Sequence, residues 1–283
     1  MNAIGVRPRY FYQKLSVLGQ GGMADVFRCM LVTECGAAVG RAYYAVKILR
    51  ELRDAEQRRR FRQEAALLAD LRHPNLMPII ALNVDADPPF YVMPVMKESL
   101  ATHFAHMRQR GKLYRAMHAL KAFLLPISGA VEYLHSRRVV HRDIKPGNIL
   151  LNASGQPFLS DLSICHVSRL GQVDLTWCGM GTPYYTAPET LRTGKATFQS
   201  DIFSLGVVLY ELLTGRIPEG YWWMNRSNLP SVQHPASCHP NVDELIARMT
   251  HPNSWERYAS VSAAIRDMRL LSARYLPLMP AYR

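Results

Sequence analysis

The spacing of apolar residues changes along the chain. Between about residues 12 and 95, runs of β-branched and aromatic residues predict four short strands, at 15–18, 25–29, 43–49 and 90–93. In the same region Phe61, Leu68 and Leu71 recur at helical spacing together with Glu64, which predicts an amphipathic helix between residues 53 and 71. The first third of the chain therefore predicts a small sheet with one helix.

Helical spacing dominates from about residue 98 onward. One apolar face predicts a helix with a kink at Pro126, and its residues are Leu120, Phe123, Leu124, Ile127, Ala130, Val131 and Leu134. A second predicted helix has Ser200 and Asp201 as its cap and ends at Gly215; it is apolar nearly all round, so we expect it to be buried. The chain thus predicts a small sheet-rich lobe and a larger helical lobe, with a seam near residues 94–98 where ligands often bind.

Composition narrows the class of protein. The 283 residues are 48% hydrophobic and 20% charged, which excludes disorder, collagen and coiled coil. The net charge of +12 favours polyanionic partners without naming one. Five scattered cysteines without a CxxC pair argue against a disulfide framework or a thiolate zinc site. Because no apolar run approaches the roughly 18 residues that span a bilayer and the amino end lacks a signal core, we expect a cytoplasmic protein.

A cluster of glycines lies between the first two predicted strands, at residues 19–26. Glycines there let backbone N–H groups approach phosphate oxygens, although an ordinary hairpin explains such a cluster more often. Lys47 follows on the next predicted strand, and Glu64 on the predicted helix is placed to pair with it. Each of the two alone is typical of a solvated surface residue, but their order after the glycines favours a phosphate site.

Three further blocks complete a recognisable pattern: residues 141–148 (HRDIKPGN), 161–163 (DLS) and 181–189 (GTPYYTAPE). With the glycine loop, they make residues from about 10 to 270 resemble the eukaryotic-type protein kinase family, and in particular its bacterial serine/threonine branch. The resemblance implies an α+β, bilobal, protein-kinase-like fold in a single kinase domain. Its parts are a small antiparallel-sheet N-lobe with one helix at about 10–93, a hinge at 94–98, a larger, mainly helical C-lobe at about 99–272 and a tail at 273–283.

The resemblance assigns a catalytic role to five residues. Lys47 is expected to hold the α- and β-phosphates of ATP, with its ammonium fixed by Glu64. Asp143 is expected to accept or orient the hydroxyl proton of the acceptor, and Lys145 to add positive charge near the γ-phosphate. Thr182 is expected to contact both of them through its hydroxyl. Because Lys145 and Thr182 occur in the serine/threonine members, the expected acceptors are serine and threonine hydroxyls of proteins.

The resemblance also implies ATP and a divalent cation as cofactors. Asn148 and Asp161 supply oxygen ligands that suit Mg²⁺, with Mn²⁺ as an alternative. Met93 aligns with the gatekeeper, and Met96 with the residue that offers its N–H and C=O to adenine. Both methionines are also typical of residues that simply fill a hydrophobic core. Pro94 replaces the usual glutamate but keeps its backbone carbonyl. The full set expected to contact the nucleotide is Leu18, Gly19, Gly21, Gly22, Ala24, Val26, Ala45, Lys47, Met93, Pro94, Met96, Asn148 and Leu150.

Five other residues match structural or regulatory positions of the family. Glu189 is expected to form a buried ion pair with Arg257, and Asp201 to hold the catalytic loop from below. Arg142 is expected to gather a phosphorylated residue between 161 and 189. Among Ser163, Ser168, Thr176 and Thr182 we select Thr176 as the site of autophosphorylation.

Three departures from the family pattern keep a second interpretation open. Ala24 replaces the third glycine of the loop, and Leu162 and Ser163 stand where phenylalanine and glycine are usual. None of the three removes a direct ligand of ATP or of the metal. The sequence therefore predicts an active kinase, with a nucleotide-binding or scaffolding pseudokinase as the alternative.

Two further classes of function are weaker. Arginines at 58–62 and 137–138 fit a nucleic-acid or phosphoprotein patch, but such runs are more often a solvated face, so we expect no specific nucleic-acid partner. His234, Cys238 and His239 lie close together in the sequence but lack a fourth ligand at a known spacing for zinc. The oligomeric state stays open.

Overall fold

The computed structural model describes residues 3–7, 10–21, 24–50, 55–162, 183–217 and 240–274. The chain divides into two compact units. The first unit comprises Met1–His73 and Met77–Met96, and the second comprises Pro74–Leu76 and Lys97–Arg283. The second unit therefore begins at Lys97, apart from residues 74–76.

The first unit is built on an antiparallel sheet of six strands in the order β1-β2-β3-β4-β6-β5. The strands are β1 (Ala3–Arg7), β2 (Tyr10–Gln20), β3 (Ala24–Thr33), β4 (Ala38–Leu49), β5 (Ala81–Asn83) and β6 (Phe90–Pro94), and the helix α1 (Ala55–Asp70) follows β4. The four predicted strands and the predicted helix are confirmed. Pairing along their whole length makes β2, β3 and β4 longer than the apolar runs that predicted them, and β1 and β5 were not predicted.

The two faces of this sheet have different roles. One face carries a cluster of buried residues that forms a core of the first unit: Tyr12, Cys29, Val46, Ile48, Phe90 and Val92. Lys47 and Tyr91 alternate with these residues along β4 and β6, so they lie on the opposite face. There the ring of Tyr91 packs against Phe61 of α1, with 5.4 Å between the ring centres. The face that carries Lys47 is therefore the one that meets the helix.

The second unit is mainly helical. Its helices are α2 (Leu100–Gln109), α3 (Ala116–Ala119), α4 (Leu125–Ser136), α5 (Pro188–Thr193), α6 (Phe198–Thr214), α7 (Pro240–Met249) and α8 (Val261–Arg274). Short strands β7 (Glu98–Ser99), β8 (Ile149–Leu151) and β9 (Pro157–Leu159) form a small antiparallel sheet, and one-turn 3₁₀ helices lie at Pro146–Asn148, Pro183–Tyr185 and Ser254–Glu256. None of the helices within the described ranges is long and apolar enough to cross a membrane.

At Pro126 the structure contains a widened turn where the sequence predicted a kink. A π turn (Leu120–Leu124) joins α3 to α4, and the N–H of Leu125 donates to the carbonyl of Leu120, five residues earlier. Proline has no N–H and its ring crowds the preceding turn, so a wider turn just before Pro126 accommodates it. All seven residues of the predicted apolar face are buried.

The N-cap of helix α6 lies three residues before Ser200, the first residue of the predicted cap. This N-cap is Thr197, whose hydroxyl accepts a hydrogen bond from the N–H of Ser200, while the Ser200 hydroxyl accepts from the N–H of Thr197. Ser200 is thus the third residue of the helix and closes a capping box with Thr197, so the prediction of Ser200 and Asp201 as the cap was wrong. The helix ends as predicted at Gly215, which has a φ of 74°. Residues 200–213 are buried except at Glu211, as the apolar pattern predicted.

Arg257 and Glu189 form a two-point ion pair, with 2.7 Å from Nη1 to Oε1 and 2.8 Å from Nη2 to Oε2. The Arg257 side chain is completely buried, and it also donates to the carbonyls of His251 and Gln199. Burial by itself raises the pKa of Glu189, but the hydrogen bonds and charge of Arg257 outweigh it and hold the pKa below its ordinary value of 4.5. The pair ties α5 to the start of α6 and to the 3₁₀ turn before Arg257.

Replacing Gly206 tests the close approach of α6 and α7. A Cβ at this position would lie 2.6 Å from Cγ2 of Thr250 and 2.8 Å from Cβ of Met249. We expect Gly206→Ala to lower the free energy of unfolding by about 1–3 kcal/mol, although alanine favours helices, because the backbones must separate. Urea unfolding followed by circular dichroism measures the change. Adding Thr250→Ser, which removes Cγ2, is expected to recover part of the loss; a Gly206→Ala variant as stable as the wild type contradicts the contact.

The Glu189 pair predicts a stability that depends on pH. Because the pKa of Glu189 is lowered in the folded state, its contribution is present above about pH 4.5 and is lost as the pH falls through the lower folded value. We expect Glu189→Gln to lower the free energy of unfolding at pH 7 by about 3 kcal/mol, since Arg257 stays buried without its partner. The difference from the wild type should shrink in urea titrations below pH 4.5.

The matched control is Asp85→Asn, because Asp85 is 88% exposed and lies 3.4 Å from Arg62 in a surface ion pair. We expect this change to cost less than about 1 kcal/mol. A loss in Glu189→Gln that stays constant from pH 7 to pH 3 contradicts the account.

Candidate active site

In the first unit the structure brings Lys47 and Glu64 together. Lys47 lies on β4 and Glu64 on the face of α1 that is buried with Phe61 and Leu68, so the sheet and the helix carry the two charges toward each other. Nζ of Lys47 donates to Oε1 of Glu64 over 2.9 Å, and the side chains are only 13% and 6% exposed. The same oxygen accepts a hydrogen bond from the buried hydroxyl of Tyr91 over 2.8 Å, a residue that the sequence analysis did not single out. The lysine ammonium is thus fixed by a buried carboxylate.

In the second unit the predicted catalytic residues converge on Asp143. Nζ of Lys145 donates to its Oδ2 over 2.8 Å. Nδ2 of Asn148 donates both to Oδ2 and to the backbone carbonyl of Asp143, each over 2.8 Å. The Asp143 side chain remains 33% exposed, so the carboxylate is oriented by two donors and is still accessible. Because the amide nitrogen of Asn148 makes both contacts, its Oδ1 is the atom suited to bind a cation.

The loop that carries these residues is held by Asp201 of α6. Oδ2 of Asp201 accepts from the N–H of His141 and Oδ1 from the N–H of Arg142, each over 2.9 Å. His135, near the end of α4, also donates to Oδ2 over 2.8 Å. Arg142 has a φ of 74°, a conformation uncommon for any residue but glycine. The buried carboxylate thus fixes the backbone directly before Asp143.

His141 links the catalytic loop to the segment before Asp161. Burial lowers the pKa of His141 despite the neighbouring carboxylates of Asp201 and Asp143, so the imidazole is neutral at pH 7. Its Nδ1 accepts from the N–H of Asp143 over 3.3 Å, which leaves Nε2 to donate to the carbonyl of Ser160 over 3.1 Å. His135 and Ser160 were missed by the sequence analysis, since each acts through a contact distant in sequence.

Asp161 follows this contact and has a φ of 54°, in the left-handed region that aspartate tolerates better than most residues. It is exposed, whereas Leu162 beside it is 1% exposed. The chain thus presents a carboxylate at 161 and buries the apolar residue that replaces the usual phenylalanine. Leu150 lies nearby in sequence on β8, where it pairs with Phe158 of β9.

The residues expected to contact the nucleotide from the first unit lie on adjacent strands. Gly19 of β2 pairs with Val26 of β3, and Ala45 of β4 pairs with Met93 of β6. The N–H of Gly21 donates to the carbonyl of Ala24 over 3.0 Å, and a Cβ on Gly21 would lie 3.0 Å from that oxygen. Gly21 therefore suits the close turn. Leu18 is on β2, Pro94 ends β6 and Met96 closes the unit.

Several predicted residues lie outside the described ranges. They are Gly22, Ser163, Ser168, Thr176, Thr182, His234, Cys238 and His239. Within the described ranges no group of three or more histidine, cysteine, aspartate and glutamate side chains could hold a metal ion among themselves.

The arginines at 58–62 are paired within the first unit. Arg58 contacts Asp87, Arg59 and Arg60 both contact Glu56, and Arg62 contacts Asp85. These acidic partners neutralise much of the charge that suggested a polyanion-binding patch. The interpretation of this run as a solvated face stays a prediction.

Comparison with known proteins places the chain in a family. The family described as "Protein kinase domain" matches residues 12–268. The serine/threonine-protein kinase PrkC of Bacillus subtilis is 32% identical over 279 residues, which cover 94% of this chain and 41% of PrkC. The DNA damage-responsive serine/threonine-protein kinase RqkA of Deinococcus radiodurans is 32% identical over 247 residues, 84% of this chain and 35% of RqkA. This chain thus spans less than half the length of these relatives.

The fold agrees with a solved structure. The kinase domain of Mycobacterium tuberculosis PknI matches with a TM-score of 0.67 and 22% sequence identity, over 92% of this chain and 95% of that one. This likeness confirms the predicted bilobal, kinase-like fold. Because the protein kinase family matches residues 12–268, which is most of the chain, the chain belongs to that family.

Proposed function

We propose that this chain is an active serine/threonine protein kinase domain that transfers the γ-phosphate of ATP to serine and threonine hydroxyls of proteins. The observation that carries the proposal is the Asp143 carboxylate, oriented by Lys145 and Asn148 and still 33% exposed. The relatives PrkC and RqkA are serine/threonine-protein kinases by name, which supports the choice of acceptor.

In the proposed mechanism the protein acts mainly by positioning ATP and the acceptor hydroxyl and by stabilising negative charge, because phosphoryl transfer needs little covalent participation by the protein. Asp143 accepts a hydrogen bond from the acceptor hydroxyl and takes its proton as the acceptor oxygen bonds to the γ-phosphorus. The bond between the γ-phosphorus and the β–γ bridging oxygen breaks at the same time, and ADP leaves with that oxygen. Lys145, 2.8 Å from that carboxylate, neutralises charge on the transferring phosphoryl group. Lys47, fixed by Glu64, holds the α- and β-phosphates. We assign to Thr182 the contact with Asp143 and Lys145 that the family resemblance implies.

The proposed metal site consists of Asn148 and Asp161. An amide oxygen and an exposed carboxylate are hard donors, which suit Mg²⁺, with Mn²⁺ as an alternative. The left-handed backbone at Asp161 and the two bonds from Nδ2 of Asn148 orient these donors before any ligand arrives. A cation held by Asn148 and Asp161 would supply positive charge that offsets the negative charge of the ATP phosphates.

We propose that the two units correspond to the two lobes, with boundaries near 10–93, 94–98, 99–272 and 273–283. The nucleotide-contacting residues assigned above divide between them, with Asn148 and Leu150 in the second unit and the others in the first. Met96 is proposed to contact adenine through its N–H and C=O, next to Met93 as gatekeeper and Pro94.

The proposal also includes regulation: the chain autophosphorylates at Thr176, and Arg142 binds the resulting phosphate. The backbone of Arg142 is already fixed by Asp201, which supports a role at a defined position. We further propose a reducing, cytoplasmic setting, which suits the free thiols of Cys29 and Cys35.

The pseudokinase alternative has less support. Ala24 is 4% exposed and Leu162 1% exposed, so both replacements are accommodated as packed apolar residues. The relatives PrkC and RqkA, moreover, are named as kinases.

Asp143→Asn tests the proposed base. The amide keeps the shape of the side chain but cannot take a proton, so we expect kcat to fall by about 10²–10⁴-fold with the Kd for ATP nearly unchanged. Transfer of ³²P from γ-labelled ATP to casein measures kcat, and isothermal titration calorimetry measures binding. Asp85→Asn is the matched control and should keep wild-type activity, because Asp85 is a surface residue at 88% exposure. Equal activity of Asp143→Asn and the wild type contradicts the assignment.

The proposed metal site predicts that activity depends on Mg²⁺ and on Asp161. Treatment with EDTA should abolish transfer, and added Mg²⁺ should restore it. We expect Asp161→Asn to raise the Mg²⁺ concentration for half-maximal activity by at least about tenfold, because it removes a charged ligand. Titration of activity with MgCl₂ at fixed ATP measures this requirement. Full activity in EDTA, or an unchanged requirement in the variant, excludes the assigned ligands.

A further inference from the structure

Tyr91 is a buried tyrosine whose hydroxyl takes part in the Lys47–Glu64 contact. The residue is 1% exposed, and its hydroxyl donates to Oε1 of Glu64 over 2.8 Å. Lys47 donates to the same oxygen over 2.9 Å. Nζ of Lys47 also lies 5.6 Å from the centre of the Tyr91 ring, within reach of a cation–π interaction. The three side chains therefore form one contiguous cluster.

The register of the sheet explains this arrangement. Lys47 on β4 and Tyr91 on β6 are direct cross-strand partners. Side chains at paired positions of an antiparallel sheet lie next to each other on the same face. Both residues therefore reach α1 from the same side and at the level of Glu64. A shift of one residue in either strand would turn one of them to the other face.

Tyr91 also contacts a second position on the same helix. Its ring packs on Phe61, three residues before Glu64, with 5.4 Å between the ring centres. Residues three apart lie on the same side of a helix. Tyr91 thus restrains α1 through an apolar contact and restrains the Glu64 carboxylate through a hydrogen bond.

The Tyr91 hydroxyl matters because the carboxylate that it contacts, Glu64, is buried. The residue is 4% exposed, and a buried carboxylate requires hydrogen-bond donors. A second donor on Oε1 limits the rotation of the carboxyl group and keeps that oxygen facing Lys47. The position of the lysine ammonium then depends on the tyrosine as well as on the glutamate.

We propose that Tyr91 is a positioning residue for ATP binding, which acts through Glu64 to fix the ammonium of Lys47. The inference rests on the proposed function, because it assigns Lys47 to the phosphates of ATP. It adds a residue that the catalytic pattern in the sequence does not contain. The hydroxyl is the active element, since phenylalanine would keep the contact with Phe61.

Tyr91→Phe is the primary test. We expect kcat/KM for ATP to fall by about three- to tenfold, mainly through a higher KM, because one hydrogen bond to a buried charge is lost while Asp143 is untouched. The Kd for Mg·ATP from calorimetry should rise by a similar factor. The matched control is Tyr12→Phe, which removes a hydroxyl from a buried tyrosine in the core on the opposite face of the same sheet and should keep wild-type values. Circular dichroism melting sets a temperature at which all variants are folded.

A double-mutant cycle separates positioning from a general structural role. In a Glu64→Gln background Tyr91→Phe should cause little further loss of Mg·ATP affinity, because the carboxylate through which it acts is gone. An equal loss in both backgrounds overturns the proposal, as does an unchanged Kd and KM in Tyr91→Phe alone. A wild-type chain that binds Mg·ATP but transfers no phosphate overturns the proposed function only, and the Kd still decides the role of Tyr91. A chain that binds no ATP overturns both.

Discussion

The Asp201 carboxylate is the charge on which the catalytic loop depends. It is completely buried in α6 and therefore requires donors, and it receives them from the backbone N–H groups of His141 and Arg142 and from the His135 side chain. Two adjacent N–H groups can reach one carboxylate only if the backbone turns sharply, which agrees with the positive φ of Arg142. The orientation of Asp143, the next residue, follows from that turn.

The first unit also contains a buried carboxylate that fixes its hydrogen-bond donors. Glu64 is a buried carboxylate whose donors are the Lys47 ammonium and the Tyr91 hydroxyl. In each unit the cost of burying a charge enforces a defined set of hydrogen bonds, and the partners in those bonds are the groups that the proposed chemistry needs in place. Both carboxylates are supported by regular structure, Asp201 by its own helix and Glu64 by a helix packed on the sheet.

Much of this arrangement could be predicted from the sequence, because the periodicity of apolar residues located the helices and strands and the order of motifs located Lys47 and Glu64. Contacts between distant segments could not be predicted. The sequence contains no signal for the register that sets Tyr91 beside Lys47. The π turn before Pro126 and the capping box at Thr197 depend on which backbone groups form hydrogen bonds at the start of a helix. The spacing of apolar residues carries no information about these hydrogen bonds.

The proposed function requires that phosphate is transferred to aliphatic hydroxyls. Phosphoamino-acid analysis of the products formed by the wild-type chain from ATP and Mg²⁺, on itself and on casein, tests this requirement. We expect phosphoserine and phosphothreonine, formed in proportion to enzyme and time. Phosphotyrosine as the sole product, or no phosphoamino acid from a chain that binds Mg·ATP, would contradict it.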